Sequence, residues 1–202
     1  MQFRAPAIFI AARFHGETAV IARLLTRDRG VVAAYIAGGR GRHLRPVVIP
    51  GNLVECQFSF RSENQLPFGK LELLQSRGPW LGEPLPAAAM GWVCALTATV
   101  LPERQSYPSL FDALSALLDA ICHAPSARGW VDALCAYERL MLRELGYGGQ
   151  AEQKLTATGD LAASLAIMER QGGAIGHYLL ADRFGDVMAA RTRLIERLGR
   201  MI

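Results

Sequence analysis

Leu53-Val54-Glu55-Cys56-Gln57-Phe58-Ser59-Phe60-Arg61 alternates apolar and polar side chains with period two. Successive side chains on a strand point to opposite faces, so this pattern is that of a half-buried antiparallel strand. Phe68–Leu74 repeats the alternation, with Lys70 and Glu72 on its polar face. Upstream, Ala7–Phe14 and Thr18–Leu25 are short apolar runs rich in Ile, Val and Phe, separated by His15-Gly16. Val31–Ile36 follows the turn Arg27-Asp28-Arg29-Gly30. Five short strands, with Gly-rich turns and one longer connection near residues 38–52, predict a small antiparallel barrel.

After Pro84 the period changes to that of helices. Tyr107, Leu110, Phe111, Leu114, Leu117, Leu118 and Ile121 recur at helical spacing, with Ser106 or Tyr107-Pro108 as the entry. Trp130, Leu134, Tyr137, Met141 and Leu145 mark a second helix that stops at Gly146. A third runs from Leu161 to Arg170, closed by Gly172-Gly173. A last one begins near Asp186, turns Val187, Leu194, Ile195 and Leu198 inward, and carries Arg191, Arg193, Arg197 and Arg200 on its polar side. Strands followed by helices without alternation define the class α+β, with a barrel domain at 1–80 and an all-helical domain at 81–202.

No residue between Glu83 and Glu103 is charged. Pro84, Pro86 and Pro102 nevertheless limit the helical part to Ala87–Leu101, short of the roughly 20 apolar residues of a membrane span, so a buried helix is predicted and no membrane partner. Cys56, Cys94, Cys122 and Cys135 contain no Cys-x-x-Cys pair and sit in apolar company. They read as core thiols, not metal ligands or disulfides. The start Met1-Gln2-Phe3-Arg4-Ala5-Pro6 lacks the apolar core of a secretory signal, which points to a reducing cytoplasm.

The 202 residues are 51% hydrophobic and 20% charged, which excludes a disordered chain, and the net charge of +4 excludes coating of nucleic acid by bulk charge. That total conceals an asymmetry. Residues 1–45 hold eight arginines against Glu17 and Asp28, a balance of +6, whereas the remainder stands at −2. The chain has 20 Arg and only Lys70 and Lys154 as lysines, so an arginine by itself says little. The segment Ala37-Gly38-Gly39-Arg40-Gly41-Arg42-His43-Leu44-Arg45-Pro46 says more, because from Gly30 to Pro50 there are three arginines and no acid. Gly38 and Gly39 would allow close backbone approach, while Arg40, Arg42 and Arg45 present guanidinium forks to phosphates. Arg27 and Arg29 are expected to flank the same face. Together these seven residues are the candidate nucleic-acid site, with Phe14, Tyr35, Phe58 and Phe60 as the aromatics available for base stacking.

Catalytic signatures fail. Gly39-Arg40-Gly41-Arg42-His43-Leu44 lacks the third glycine of a dinucleotide loop, and there is no phosphate loop or Gly-x-Ser-x-Gly elbow. His15, His43, His123 and His177 lack metal-ligand spacing, and no Asp-x-Asp pair could hold magnesium. No cofactor, metal or enzymatic activity is therefore expected.

Several segments in order resemble a known family: Phe14-His15-Gly16-Glu17-Thr18, Leu25-Thr26-Arg27-Asp28-Arg29-Gly30, Gly38-Gly39-Arg40-Gly41-Arg42, Leu44-Arg45-Pro46 and Pro50-Gly51-Asn52. Later come Leu101-Pro102-Glu103-Arg104, Leu110-Phe111-Asp112-Ala113-Leu114 and Tyr137-Glu138-Arg139-Leu140-Met141-Leu142-Arg143-Glu144-Leu145-Gly146-Tyr147. The chain is similar, to about Gly159, to the bacterial recombination mediator RecO family. The resemblance implies an oligonucleotide/oligosaccharide-binding (OB-type) barrel followed by an all-helical domain. It also implies binding of single- and double-stranded DNA, annealing of complementary strands, and work with RecR to load RecA on DNA covered by single-strand-binding protein, whose acidic tail docks on the protein. Basic residues around the Gly-Gly-Arg segment contribute to DNA binding in the family, which by position points to Arg40, Arg42 and Arg45. A cytoplasmic, nucleoid-associated protein of DNA repair is the corresponding expectation. Leu155 stands before Thr156-Ala157-Thr158-Gly159 where many relatives have a cysteine, so the family's occasional zinc insertion is not expected. The rival readings are an RNA-binding OB module and a nucleic-acid-processing enzyme with a dispersed site.

Overall fold

A computed structural model of the chain describes residues 2–62, 65–148, 160–181 and 185–201. Its strands are β1 (Gln2–His15), β2 (Ala19–Thr26), β3 (Gly30–Ile36), β4 (Leu53–Ser59) and β5 (Phe68–Gln75). Helices α1 (Pro84–Val100), α2 (Pro108–His123), α3 (Val131–Glu144), α4 (Leu161–Ala174) and α5 (Gly185–Gly199) follow. The chain forms two compact units: Met1–Gly82 with Thr97–Phe111, and Glu83–Leu96 with Asp112–Ile202.

The alternation that begins at Leu53 is realised as read. Val54, Cys56 and Phe58 are buried on the inner face of β4, while Gln57 is exposed. They meet Phe9, Val20, Ala22, Leu24, Val32, Ala34 and Ile36 in one apolar core. The sheet closes in the order β1-β2-β3-β5-β4. It is not wholly antiparallel, however, because β3 and β5 pair in parallel at Tyr35 and Phe68. The reason is parity: five strands cannot alternate direction all the way round a ring, so one neighbouring pair must share a direction.

β1 starts five residues earlier than the apolar run suggested. Residues from Gln2 to Ile8 pair with β4, and residues from Ala7 to His15 pair with β2. A register shift between Phe9 and Ala11 marks the changeover, where an extra residue bends the strand from one partner to the other. Pro6 is tolerated because residues 2–6 pair on one side only, and N–H groups there alternate between that partner and the open side.

The connection from β3 to β4 is a set of tight turns. Arg45 N donates to Gly41 O at 2.9 Å, and Val48 N to Leu44 O at 2.9 Å, which brings Val47 into the core. Asn52 holds its end: the side-chain amide donates to the carbonyls of Pro46 (2.9 Å) and Val47 (3.1 Å), and Oδ1 accepts from Arg77 N at 2.8 Å. The buried Arg77 guanidinium also donates to the carbonyl of Gly51.

Residues 97–111 belong to the strand-bearing unit. Val31 and Glu103 form a parallel bridge, Arg104 N donates to Val31 O at 2.8 Å, and Ser106 Oγ to Arg27 O at 3.1 Å. Arg23 ties to the same strap, to Glu103 Oε1 at 2.8 Å and to Leu101 O at 3.2 Å.

Helix α1 begins at Pro84, earlier than expected, since prolines are accommodated in a first turn whose N–H groups have no intrahelical acceptor. Among the described residues no helix is long and apolar enough to cross a membrane. α3 ends at Glu144, just before Gly146. Two helical expectations need correction. α4 does not stop at Gly172-Gly173 but runs through them into a π-helical turn, Ile175–Leu179. Those glycines are not a stop signal: a Cβ on Gly172 would lie 2.7 Å from Nη1 of Arg191, so glycine there makes room for a guanidinium. Arg191, correspondingly, is not on the polar side of α5 and is only 3% exposed. The expectation at Leu155 and Thr156-Ala157-Thr158-Gly159 falls outside the described residues.

Candidate nucleic-acid interface

The seven residues singled out from the sequence occupy two places on the strand-bearing unit. Gly39 packs where β1 turns into β2; a Cβ on it would come 2.6 Å from Cγ2 of Val20. Arg40 N donates to Thr18 O at 2.9 Å, and Gly41 N to Gly38 O at 2.8 Å. The glycines thus dock the basic turn onto the β1–β2 hairpin, a packing role that the sequence pattern did not disclose. Arg40 donates through Nη1 to Glu17 O at 2.9 Å, and its Cζ lies 4.5 Å from the ring centroid of Phe14. Phe14 is 76% exposed, an unusual position for a large aromatic ring. Arg42 and Arg45 follow on the same turn, both exposed.

Arg27 and Arg29 lie elsewhere. Val20 pairs with Ile36 at the Arg40 end of β2, whereas Thr26 pairs with Gly30 at the other end, where Arg27 and Arg29 stand in the turn. β2 spans Ala19–Thr26, about 23 Å at 3.3 Å per residue. The five arginines therefore divide between the two ends of β2, because consecutive hairpin turns fall at opposite ends of the strand they share.

Two further N-terminal arginines meet acids from later in the chain. Arg4 pairs with Glu55 (2.9 Å) and Glu72 (3.0 Å), and Arg23 with Glu103 (2.8 Å). The +6 read from residues 1–45 is thus partly balanced in three dimensions by β4, β5 and the strap. Of the stacking candidates, Phe58 is fully buried in the core, and Tyr35 lies edge-on to His15 and Phe68. Phe14 and the half-buried Phe60 remain on the surface.

Sequence reasoning singled out Arg29 and Phe60 but missed Phe3 and Arg104, which join them in a second group. Arg29 lies 4.2 Å over the ring of Phe3, which stacks on Phe58 (4.5 Å) and Phe60 (5.9 Å), and Arg104 lies 5.7 Å from the ring of Phe60. Arg104 stood in a stretch resembling the helical half of the family, and nothing local signals that a strap returns it to β3. Among the described residues, no three His, Cys, Asp or Glu side chains gather as a metal site would require.

A closed five-stranded sheet with arginine and aromatic side chains at both ends, in a chain that continues into helices, places the protein in the α+β class. Comparison with known proteins makes the assignment particular. Residues 1–77 match the family described as "Recombination protein O N terminal", and residues 84–157 match "Recombination protein O C terminal". A DNA repair protein RecO of Rhodospirillum centenum is 40% identical over 149 residues, 73% of this chain and 58% of that protein. One of Caulobacter vibrioides is 34% identical over 177 residues, 87% of this chain and 71% of the relative. One of Jannaschia is 30% identical over 201 residues, covering 99% and 80%. The chain belongs to the RecO family.

Proposed function

We propose that this chain is a DNA-binding mediator of recombinational repair, acting without covalent chemistry. The observation that carries the reading is the basic turn docked beside Phe14, with Arg40, Arg42 and Arg45 projecting from an acid-free segment. Strand order β1-β2-β3-β5-β4 suits an OB-type barrel, a scaffold that binds single strands along its surface. Arginine contacts with phosphates release counterions and reduce the repulsion between two DNA strands, so complementary strands can approach and anneal. On this reading the partners are single- and double-stranded DNA, the acidic tail of single-strand-binding protein, RecR, and RecA indirectly, in a cytoplasmic, nucleoid-associated setting. The relatives are named as DNA repair proteins, which supports DNA as a partner; the remaining partners rest on the family resemblance of the sequence.

The deciding experiment is the salt dependence of DNA binding in the Arg40→Ala/Arg42→Ala double variant. Two lost phosphate contacts flatten the log–log slope by about 1–2 units. An unchanged slope removes the basic turn from the interface. A competition between matched RNA and DNA strands separates this reading from that of an RNA-binding module. Binding of an acidic C-terminal peptide of single-strand-binding protein, read by calorimetry, tests the mediator role separately.

A further inference from the structure

The strand-bearing unit has a cavity of about 490 Å3 at the β2–β3 end, away from the basic turn. Its lining includes Phe3 and Phe60, the arginines Arg29, Arg61 and Arg104, and the acid Asp28. From these residues we infer that the cavity is a capture site for one unstacked base of single-stranded DNA, with the flanking phosphates on the arginines. The inference rests on the DNA-binding reading above and adds to it a second, base-contacting site distinct from the turn at Arg40.

Three observations converge. First, the floor is aromatic: Phe3 and Phe60 stand 5.9 Å apart with planes inclined by 23°, a stacking platform that extends outward from the core ring of Phe58. Second, guanidinium groups already lie over those rings, Arg29 at 4.2 Å from Phe3 and Arg104 at 5.7 Å from Phe60. Flat cations over aromatic rings are the surfaces on which unstacked bases are held, and both are indifferent to base identity. Third, three cations face one acid on the rim, a balance that suits a polyanion better than a neutral aromatic ligand. A duplex keeps its base faces covered by stacking and cannot present one to this floor, so the site selects single strands. The volume lies in the range of about 300–1,000 Å3 usual for small-ligand pockets.

The backbone around Arg104 is held under strain. Its φ is 61°, in the left-handed region, the one non-glycine residue with positive φ among those described. Strain of that kind persists when the surroundings over-determine it. Here the strap supplies the determination, through the bonds of Glu103, Arg104 and Ser106 to β3 and the β2–β3 turn.

The test compares oligothymidylate of about 12 nucleotides with an abasic strand of equal length, within the site sizes usual for such barrels. The full chain binds the thymidylate about tenfold more tightly than the abasic strand. Phe60→Leu, which keeps apolar volume but removes the ring, brings that ratio toward one. Phe60→Tyr restores it. Arg104→Lys keeps the charge but loses the planar face. It lowers the ratio while leaving the salt slope unchanged, because the number of charges that meet phosphates stays the same. A wild-type ratio near one, or a ratio unmoved by both Phe60→Leu and Arg104→Lys, overturns the capture site alone. Absence of binding to either strand at low salt overturns the DNA-binding reading together with it.

Discussion

Arg191 shows how far a residue's role can depart from its sequence neighbourhood. It shares α5 with Arg193, Arg197 and Arg200, yet it is buried against Glu138 of α3, which is 0% exposed. Nε donates to Oε1 at 2.9 Å and Nη2 to Oε2 at 2.8 Å, while Trp92 Nε1 donates to the same carboxylate at 2.8 Å. Nη2 also reaches Met168 O at 2.6 Å. Helical spacing could place Arg191 but could not show that a carboxylate 53 residues earlier meets it. Glu138→Ala leaves the guanidinium buried without its counter-charge and is expected to cost about 3–5 kcal/mol in urea unfolding. A loss under about 1 kcal/mol, typical of an exposed pair, contradicts that assignment. The cysteines were legible as core residues. Burial pushes the Cys56 and Cys135 thiols from 9.0 up to about 12, reinforced by Glu55 at Cys56 and by Glu138 and Asp132 at Cys135. Between pH 9 and about 12 the native state therefore holds protons that the unfolded chain releases, so stability falls as pH rises through that window. Each thiol contributes a slope of up to about 1.4 kcal/mol per pH unit. Below it, at pH 8, a thiol-specific disulfide reagent reacts with neither thiol until denaturant is added; rapid labelling of the native protein contradicts their burial.

At the scale of elements, the strap over the β2–β3 turn can be isolated with two glycines of nearly equal backbone angle. Gly16 has φ 58°, and a Cβ added there meets nothing within 4 Å, whereas Gly30 has φ 64° and a Cβ there would sit 1.7 Å from Gln105 O. Gly16→Ala incurs only the left-handed backbone cost, about 1–2 kcal/mol. Gly30→Ala must also displace residues 103–106, and is expected to destabilise by at least about 1–3 kcal/mol more and to abolish the base-dependent affinity assigned to Phe60 and Arg104. Equal losses for the two variants, by thermal or urea unfolding, show that the strap is not held there. The strap is also the element least legible in the sequence, because it pairs through a single bridge and so leaves no periodic trace. β4 was readable because one face is buried and the other wet, which writes a period of two into Leu53–Arg61. The first residues of β1 were not, since Pro6 opposes the strand reading and only the pairing with β4 offsets it.

For the molecule as a whole, charge is the property that three dimensions rearranged most. The sequence placed +6 before residue 46, but Arg4 and Arg23 meet Glu55, Glu72 and Glu103, and the five candidate arginines divide between the ends of β2. A primary structure carries the amount of charge and its order along the chain; the direction in which each hairpin turns decides the face. On the DNA-binding reading proposed above, the division has a measurable consequence for the length of strand that can use all the charge. A stacked strand of about five nucleotides, at 3.4 Å each, covers about 17 Å and cannot reach from Arg40 to Arg27 and Arg29 across the roughly 23 Å of β2. The three arginines of the basic turn give a log–log salt slope of about −2.1, at about 0.7 per contact for single strands. A strand of about 12 nucleotides reaches both ends, and the five candidate arginines give about −3.5. Fluorescence anisotropy over a salt series therefore shows the slope steepening with length, and Arg27→Ala/Arg29→Ala returns the longer strand to the value of the shorter. If the five-nucleotide strand already shows the full slope, its phosphates are meeting all five arginines on one face, and the two-ended distribution does not govern binding.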